Sequence, residues 1–333
     1  MNILGMDREK VKWEDHILDM SPVEKHGDIW LKREDKFAPL GYGNINGSKL
    51  RVCIWLISEY ANKAYNPTGV IQGAVTGSPQ HPMVAINCAH FGLKSVHVVG
   101  TNDIEHHKNL QIAAKYGATF EVCKVGYAKT LEATAYKLAQ EKYAGYFVLE
   151  TNITVNEDRN PANRIEAFHK VGSVQVANMP DHIETLIVPA GSCNSVTSVL
   201  YGIAQYRPKN LKKILLMGIG NYGSKDPDFI RRRLQTIQQA TTVDTDVFDF
   251  SAIQKSSSLF TSEDYPYIIE HHNLNGSGYC EYNDLMPFTY DDVQLHPRYE
   301  GKIFNYMKDN KNYFDKYMND KTMFWIVGSE PNI

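Results

Sequence analysis

Short apolar segments alternate with helical patterns along most of this chain, and that alternation limits its fold more than any other feature. The first pair is the apolar run 69–75, followed by helical spacing over 82–91. The same order returns up to residue 149 and again from residue 164 onward. Strands that alternate with helices of about 10–15 residues indicate βαβ units, whose strands are parallel. The predicted class is therefore α/β.

The individual elements can be read from apolar runs, helical spacing and the glycines that end several helices. Residues 30–35 are read as an edge strand, and residues 240–300 as loops with short helices. The other predicted strands are 69–75, 94–100, 119–125, 145–149, 185–189, 213–219 and 322–327. The predicted helices are 50–60, 82–91, 106–116, 131–143, 164–178, 196–206, one that begins near 227, and 301–317.

A polar gap at residues 151–163 divides the pattern into two parts. We predict a small α/β domain at residues 55–160. The large domain is predicted to combine residues 1–54 with residues 161–333. Each domain is expected to contain a mostly parallel, twisted sheet flanked by helices.

Composition and charge exclude several classes of protein. The 333 residues include 35 Lys and Arg against 38 Asp and Glu, so the formal net charge is −3. A nucleic-acid partner is disfavoured, because such proteins are usually basic. The five cysteines lack metal or redox spacing, which indicates reduced thiols. No signal peptide is legible and no apolar run approaches the roughly 20 residues that span a bilayer, so we expect a cytoplasmic protein.

Two glycine-containing loops follow predicted strands. Residues 218–223 match the dinucleotide pattern GxGxxG, but Pro227 delays the next helix, so an ordinary loop is favoured. Residues 189–197 join a strand to a helix through small and hydroxyl residues. Backbone N–H groups there suit a phosphate monoester, although a structural turn explains the loop equally well. The loop lacks the Gly-Lys-Ser/Thr of a nucleoside-triphosphate site.

Lysine and histidine supply the other candidates. Lys49 stands where a polar loop meets the helix at 50–60, and is either a solvated charge or, if desolvated, a nucleophilic amine. The pairs His106–His107 and His271–His272 suggest metal ligands. Adjacent histidines on a helix point about 100° apart and rarely share an ion, so no metal site is predicted.

Several motifs in order resemble one enzyme family. Residues 31–35 (LKRED) resemble a family strand, 47–51 (GSKLR) its lysine motif, and 76–81 (TGSPQH) its substrate loop. Residues 188–192 (VPAGS) resemble its phosphate loop, and 296–302 (HPRYEGK) and 324–329 (FWIVGS) resemble its carboxy-terminal motifs. The sequence thus resembles the fold-type-II enzymes that use pyridoxal 5′-phosphate (PLP). The most similar branch is that of 1-aminocyclopropane-1-carboxylate (ACC) deaminase and D-cysteine desulfhydrase.

The resemblance implies a fold and a set of site residues. PLP would lie in the cleft between the two domains, and Lys49 would form the internal aldimine. Pro79 replaces an asparagine that contacts the cofactor in the family, so either a neighbour such as Gln80 takes that role or the aldimine titrates differently. Asp291 is expected to face the pyridine nitrogen. The remaining candidates are Ser78, Tyr290 and Tyr279 for catalysis, and Gly191, Ser192, Cys193, Asn194, Ser195 and Ser329 for cofactor binding.

The leading functional prediction is a PLP-dependent deaminase or lyase that acts on a small amino acid and releases ammonia and an oxoacid. One alternative is a PLP enzyme of this fold that acts on an amino acid linked to a nucleotide or a peptide. Another is a nicotinamide-dependent oxidoreductase that uses the glycines at 218–223. By analogy with the family, we expect a homodimer.

Overall fold

The structure is a computed structural model that describes residues 13–39, 45–219, 227–250, 266–274, 278–279, 284–329 and 331. These residues divide into two compact units. The N-unit contains 38–159 together with the described residues that precede 18 and residue 331. The C-unit contains 18–37 and 160–329. Residues 45–54, which the sequence analysis assigned to the large domain, fall within the N-unit because helix α1 packs against helix α2 there.

The regular elements alternate as the sequence pattern predicts. Up to residue 159 they are β1 (Val23–His26), β2 (Ile29–Arg33), α1 (Ser48–Lys63), β3 (Gly69–Gly73), α2 (Gln80–His90), β4 (Lys94–Val99), α3 (Lys108–Lys115), β5 (Thr119–Val122), α4 (Ala128–Glu141) and β6 (Phe147–Leu149). From residue 160 they are α5 (Ala162–Ser173), β7 (Thr185–Ala190), α6 (Asn194–Tyr206), β8 (Lys213–Gly218), α7 (Pro227–Gln238), β9 (Phe248–Asp249), β10 (Tyr267–Asn273), β11 (Phe288–Tyr290), β12 (Val293–Leu295), α8 (Glu300–Asp309), α9 (Lys311–Phe314) and β13 (Thr322–Ile326).

The N-unit is built on a parallel sheet of four strands in the order β5-β4-β3-β6. Strand β3 is buried along its whole length, as expected for a parallel strand covered on both faces. Helix α4 packs against β3 and β4. The core beneath α4 consists of Ile71, Val96, Val98, Leu131 and Ala135.

The C-unit contains a seven-stranded sheet in the order β1-β2-β13-β7-β8-β10-β9. The pair β1–β2 is antiparallel, and every other pairing in this sheet is parallel. The predicted edge strand at 30–35 is therefore an inner strand, because β1 pairs with β2 and forms the edge. Strands β11 and β12 form a separate antiparallel hairpin. Both units confirm the predicted α/β class with parallel sheets and flanking helices.

Three sequence expectations need correction. The predicted helix 301–317 is interrupted at Asn310, which caps α8 with non-helical backbone angles. The described parts of 240–300 contain strands β9 to β12 where short helices were expected. His271 and His272 therefore lie on strand β10, where pairing with β8 overrides local pattern. Of the glycine pattern at 218–223, residues 220–223 lie outside the described residues.

Two further features bear on the expected environment. Among the described residues, none of the helices combines the length and the apolar character needed to cross a bilayer. Cys53, Cys88, Cys123 and Cys193 are free thiols. Cys53 and Cys88 are buried, and burial raises the pKa of each thiol.

Candidate functional site

A turn of small residues connects strand β7 to helix α6, and we refer to residues 191–195 as the phosphate turn. The N-cap residue of α6, Cys193, has a left-handed backbone with φ of 62° and makes no side-chain cap hydrogen bond. A residue other than glycine costs roughly 1–2 kcal/mol in this conformation. Strain of this kind is concentrated at functional sites. The turn is therefore held in a conformation that the local sequence alone does not favour.

The phosphate turn has the electrostatics of an anion site. Helix α6 has 13 residues and carries no charged side chain, so nothing on the helix itself offsets the positive end of its dipole. The side chain of Cys193 is buried, and its Sγ lies 3.8 Å from the Gly191 carbonyl oxygen. The structure brings together the five residues predicted to bind phosphate, which are Gly191, Ser192, Cys193, Asn194 and Ser195. Backbone groups, rather than the Cys193 thiol, are thus suited to bind an anion here.

The ring of Tyr299 lies against the phosphate turn. A Cβ atom built on Gly191 would lie 3.7 Å from Tyr299 Cε1, which is ordinary van der Waals contact. Tyr299 is the N-cap residue of α8 and packs edge-on against His296, with ring centroids 4.7 Å apart. The amino end of α8 and the phosphate turn are therefore neighbours within the C-unit.

Glu300, the first residue of α8, is a buried carboxyl group beside that turn. Its exposed fraction is 0%. Oε1 accepts a hydrogen bond of 2.7 Å from the Val327 backbone N–H. Oε2 is buried and has no hydrogen-bond partner among the described residues. Because a buried oxygen without a partner costs free energy, it marks a place where a ligand donor would be favoured.

The electrostatics of Glu300 follow from its burial. Burial raises the pKa of Glu300 to about 8, and the nearby Asp35 also raises this pKa. The backbone N–H groups of Val327 and Gly328 act in the opposite direction. A cationic N–H group placed at Oε2 would stabilise the ionised form, since an opposite charge lowers the pKa of a carboxyl group.

The segment that follows β13 completes this part of the site. Val327 and Gly328 both hydrogen-bond to Glu300 through their backbones. Ser329, predicted to lie beside the cofactor, is the next residue and is partly buried. The structure thus places Ser329 in the segment whose backbone holds Glu300.

The structure contradicts the role predicted for Asp291. Its side chain is 54% exposed and lies 3.7 Å from His26 Nδ1. One carboxylate oxygen accepts a hydrogen bond of 3.2 Å from the Gly27 N–H. Asp291 has a left-handed backbone with φ of 53° in the tight turn between β11 and β12. A solvated acid on a hairpin turn cannot be the buried partner of a pyridine nitrogen.

The two predicted catalytic tyrosines each hydrogen-bond to another part of the C-unit. The Tyr290 hydroxyl accepts a hydrogen bond of 3.2 Å from the Asp28 N–H, so it ties the β11–β12 hairpin to the β1–β2 turn. The Tyr279 hydroxyl donates to the Asp309 carboxylate at the carboxyl end of α8. Asp309 follows Glu300 by nine residues, which is about 14 Å along a helix. The Tyr279 hydroxyl is therefore bound at the end of α8 opposite to Glu300.

Sequence reasoning therefore missed Tyr299 and Glu300. Both stand inside the motif 296–302 that was quoted for the resemblance, yet the tyrosine–acid pair was sought nine residues earlier, at Tyr290 and Asp291. The available signal was a glutamate in the first turn of a predicted helix, next to a tyrosine. What could not be read from sequence was that this glutamate is buried.

In the N-unit, Lys49 is the second residue of helix α1. The helix is preceded by Gly47, whose φ of 92° and ψ of −178° are accessible only to glycine. Lys49 is partly buried. The neighbouring Arg51 is fully buried, and its Nη1 donates a hydrogen bond of 2.6 Å to the Ile17 carbonyl oxygen. The amine thus extends from a fixed helix start, as a nucleophile requires.

The start of helix α2 has no N–H group left for an anion. Pro79 and Pro82 have no backbone N–H. The Gln80 N–H donates to Ser78 Oγ at 3.2 Å, and the His81 N–H donates to the Ser78 carbonyl oxygen at 3.3 Å. Helix starts normally offer these groups to ligands or caps. Ser78 therefore acts as the cap of α2.

The side chain of Gln80 is also engaged within the N-unit. Its Oε1 accepts a hydrogen bond of 2.8 Å from the Asn152 N–H. Its Nε2 donates to the Glu150 carbonyl oxygen at 3.2 Å. Only one amide hydrogen remains for any other partner. The amide of Gln80 thus joins α2 to the segment after β6, which limits the cofactor contact predicted for it.

A buried histidine pair fixes the loop before α2. His81 Nε2 lies 3.1 Å from the Val75 carbonyl oxygen, and its Nδ1 lies 2.8 Å from Gln72 Nε2 and 3.1 Å from His97 Nδ1. Burial lowers the pKa of His81 to about 4 and lowers that of His97 as well. Both rings are therefore neutral, and the network assigns the His81 proton to Nε2. Loop 75–79 is held by uncharged hydrogen bonds.

Each unit, taken by itself, contains residues that fit a chemical part of PLP. The phosphate turn offers backbone donors to a phosphate, and the unpartnered Oε2 of Glu300 fits a ring N–H. Lys49 offers an amine to an aldehyde.

No family model matches the sequence. One curated relative is the O-seryl-dTMP PLP-dependent decarboxylase of Salmonella phage ViI. It is 36% identical over 374 aligned residues, which cover 100% of this chain and 87% of the relative. The chain belongs to the fold-type-II PLP-dependent enzymes. The cofactor predicted from the sequence, PLP, is thereby confirmed.

Solved structures support the fold of this enzyme. An ACC deaminase homologue matches with a TM-score of 0.63 at 16% identity, over 93% of this chain and 89% of that one. An O-ureido-L-serine synthase matches with a TM-score of 0.55 at 15% identity, over 94% and 91% of the two chains. Threonine deaminase isoform 2 from Solanum lycopersicum matches with a TM-score of 0.56 at 15% identity, over 100% and 83%.

The buried proton of Glu300 predicts a pH-dependent stability of the cofactor-free enzyme. Its pKa in the folded state is about 8, against an ordinary 4.5. The bound proton stabilises the folded state, and this contribution to the free energy of unfolding is present in full below about pH 4.5. It is lost as the pH rises toward about 8, at up to about 1.4 kcal/mol per pH unit. We expect the Tm of the apoenzyme to fall more steeply between about pH 6 and about pH 8 than that of Glu300→Gln.

Asp291→Asn is the matched control for this measurement, because Asp291 is exposed. It should retain the pH dependence of the parent apoenzyme. If the parent and Glu300→Gln lose Tm at the same rate over this range, the buried proton belongs to another group.

We expect Lys49→Ala to abolish the visible absorbance of protein-bound PLP, its sensitivity to borohydride, and turnover, because the amine that attaches the cofactor is removed. Absorbance spectra of the purified variants with added PLP measure this. Lys63→Ala is the control: Lys63 ends the same helix, is 73% exposed and pairs with Glu59 at 2.6 Å. A Lys49→Ala protein that keeps the band would move the assignment to another lysine.

Proposed function

We propose that this enzyme is a decarboxylase whose substrate is a serine joined through its side-chain oxygen to a thymidine nucleotide. The observation that carries the proposal is the 36% identity, over the whole chain, to a relative named as an O-seryl-dTMP PLP-dependent decarboxylase. This is the nucleotide-linked alternative of the sequence analysis. It replaces the deamination of a small free amino acid as the leading function.

The reaction breaks the bond between Cα and the carboxylate carbon. The electron pair remains on Cα, CO₂ leaves, and a proton then replaces the carboxylate, so the product is the aminoethyl ether of the nucleotide. PLP, when bound, supplies the electron sink for this pair. The Lys49 amine, in its protonated form, is the proposed donor of the proton to Cα.

The other residues of this chain bind and orient. The phosphate turn would bind the cofactor phosphate through backbone N–H groups. Glu300 would accept the N–H of the cofactor ring at Oε2, and this buried ion pair would strengthen the electron sink. Tyr299, which lies against Gly191, would exclude water from that side of the phosphate turn.

The first N–H groups of helix α2 are absent or already hydrogen-bonded, and this supports a decarboxylation reaction. Following the resemblance, we propose that loop 75–79 and the start of α2 face the substrate carboxylate. Donors there would stabilise the charged carboxylate more than the transition state, in which that charge disappears as CO₂ forms. At the start of α2, two prolines and the capping Ser78 remove those donors.

The first test of the proposed function supplies the holoenzyme with O-seryl-dTMP labelled with ¹³C in the carboxylate. We expect labelled CO₂ and an aminoethyl nucleotide in equal amounts by mass spectrometry, with Lys49→Ala inactive. Free L-serine, which lacks the nucleotide, should be a much poorer substrate. Release of ammonia and an oxoacid with the label retained would instead support the deaminase.

A second test restores a donor at the start of α2. Pro79→Ala adds one backbone N–H, and a hydrogen bond to a charged group contributes about 1.5–3 kcal/mol. We expect CO₂ release to slow by about tenfold or more, while exchange of the Cα proton with D₂O rises relative to it. Pro161→Ala is the matched control, because Pro161 is the N-cap residue of helix α5. Equal slowing in both variants would mean that the effect is on stability alone.

A further inference from the structure

A buried histidine on a neighbouring helix contacts the first turn of α6. Helices α5 and α6 pack against each other, and His169 of α5 has an exposed fraction of 0%. His169 Nδ1 lies 3.0 Å from Ser198 Oγ on α6. Ser198 Oγ in turn donates a hydrogen bond of 3.1 Å to the Asn194 carbonyl oxygen. Because the hydroxyl proton is used in that bond, Ser198 accepts its other hydrogen bond from the Nδ1–H of His169.

His169 has a single proton to donate. Burial and the nearby Arg233 both lower the pKa of His169, so the ring is neutral. The same Nδ1–H is shared with the backbone of Asn194. Its Nε2 is buried without a hydrogen-bond partner in the described part of the chain. The neutral ring with its proton on Nδ1 is therefore a fixed donor directed at the first turn of α6.

This arrangement matters because the phosphate turn contains no cationic side chain. Residues 191–195 are Gly, Ser, Cys, Asn and Ser, and α6 carries no charge. Binding of a dianion then depends on how accurately the N–H groups of the first turn are oriented. Asn194 is the first residue of helix α6. Its carbonyl oxygen accepts a hydrogen bond from Ser198, which is itself hydrogen-bonded to His169.

We propose that His169 and Ser198 are positioning residues that orient the first turn of α6 toward the phosphate of PLP. They act through Asn194. The inference rests on the assignment of the phosphate turn and is independent of the substrate. It goes beyond the proposed function, because it concerns affinity for one chemical group of the cofactor.

The test compares PLP with pyridoxal, which lacks the phosphate. Both are titrated into the apoenzyme, and Kd is obtained from absorbance. We expect His169→Phe, which keeps the ring volume, to weaken PLP binding by at least about fivefold, the equivalent of one lost hydrogen bond, and to leave the Kd for pyridoxal unchanged. His169→Asn should recover most of the affinity, because its amide N–H can take the place of Nδ1–H.

Ser173→Ala is the matched control, since Ser173 is buried one turn further along α5 and its hydroxyl donates to the Lys170 carbonyl oxygen of its own helix. It should leave the ratio of the two Kd values as in the parent enzyme. If His169→Phe does not fold, Ser198→Ala decides, because it removes a single hydroxyl and should raise the same ratio. An unchanged ratio in a folded variant, or an equal loss of affinity for PLP and pyridoxal, overturns the proposal. If the enzyme does not decarboxylate O-seryl-dTMP, the proposed function fails, but this proposal about PLP affinity is unaffected.

Discussion

The register between strands β7 and β13 determines where the chemistry of the C-unit can occur. The two strands are parallel, with Leu186 paired to Met323 and Ile187 to Phe324. If that register is continued, Ala190, the last residue before the phosphate turn, stands level with Val327, whose N–H holds Glu300. Neighbouring strands lie about 4.8 Å apart. Parallel pairing therefore places an anion-binding turn and a buried acid side by side, because the carboxyl ends of both strands meet at one edge of the sheet.

Burial of Glu300 is unfavourable by itself, since a carboxyl group without full hydrogen bonding loses solvation that nothing in the folded chain replaces. The cost appears as the raised pKa of about 8 and as an oxygen without a partner. An arrangement that is unfavourable alone becomes favourable when a cationic N–H is present. Under the proposed role of Glu300, the free energy lost in folding the apoenzyme would be recovered on binding the cofactor ring, and the site would favour a ring that can carry a proton.

Most of the fold could be predicted because strand and helix periods recur with few interruptions. For the site, local signals pointed to Lys49 and to the phosphate turn, whose roles remain predictions. The prediction from sequence failed where tertiary structure decides the environment of a side chain. Asp291 and Glu300 are both acids that follow a tyrosine, and only packing makes one exposed and the other buried. The strands within 240–300 were missed for the same reason, since β10 depends on pairing with β8 and not on its own pattern.

The N-termini of α2 and α6 show how one physical principle yields opposite results. Every helix start is an anion site unless its N–H groups are removed or used. Helix α6 begins with small residues and a strained cysteine, with no proline and no charge, so it suits an anion that stays bound. Helix α2 begins with two prolines and a serine cap, so it offers nothing to an anion. Under the proposed function the difference is what the reaction needs, because the cofactor phosphate must remain while the substrate carboxylate must lose its charge and leave.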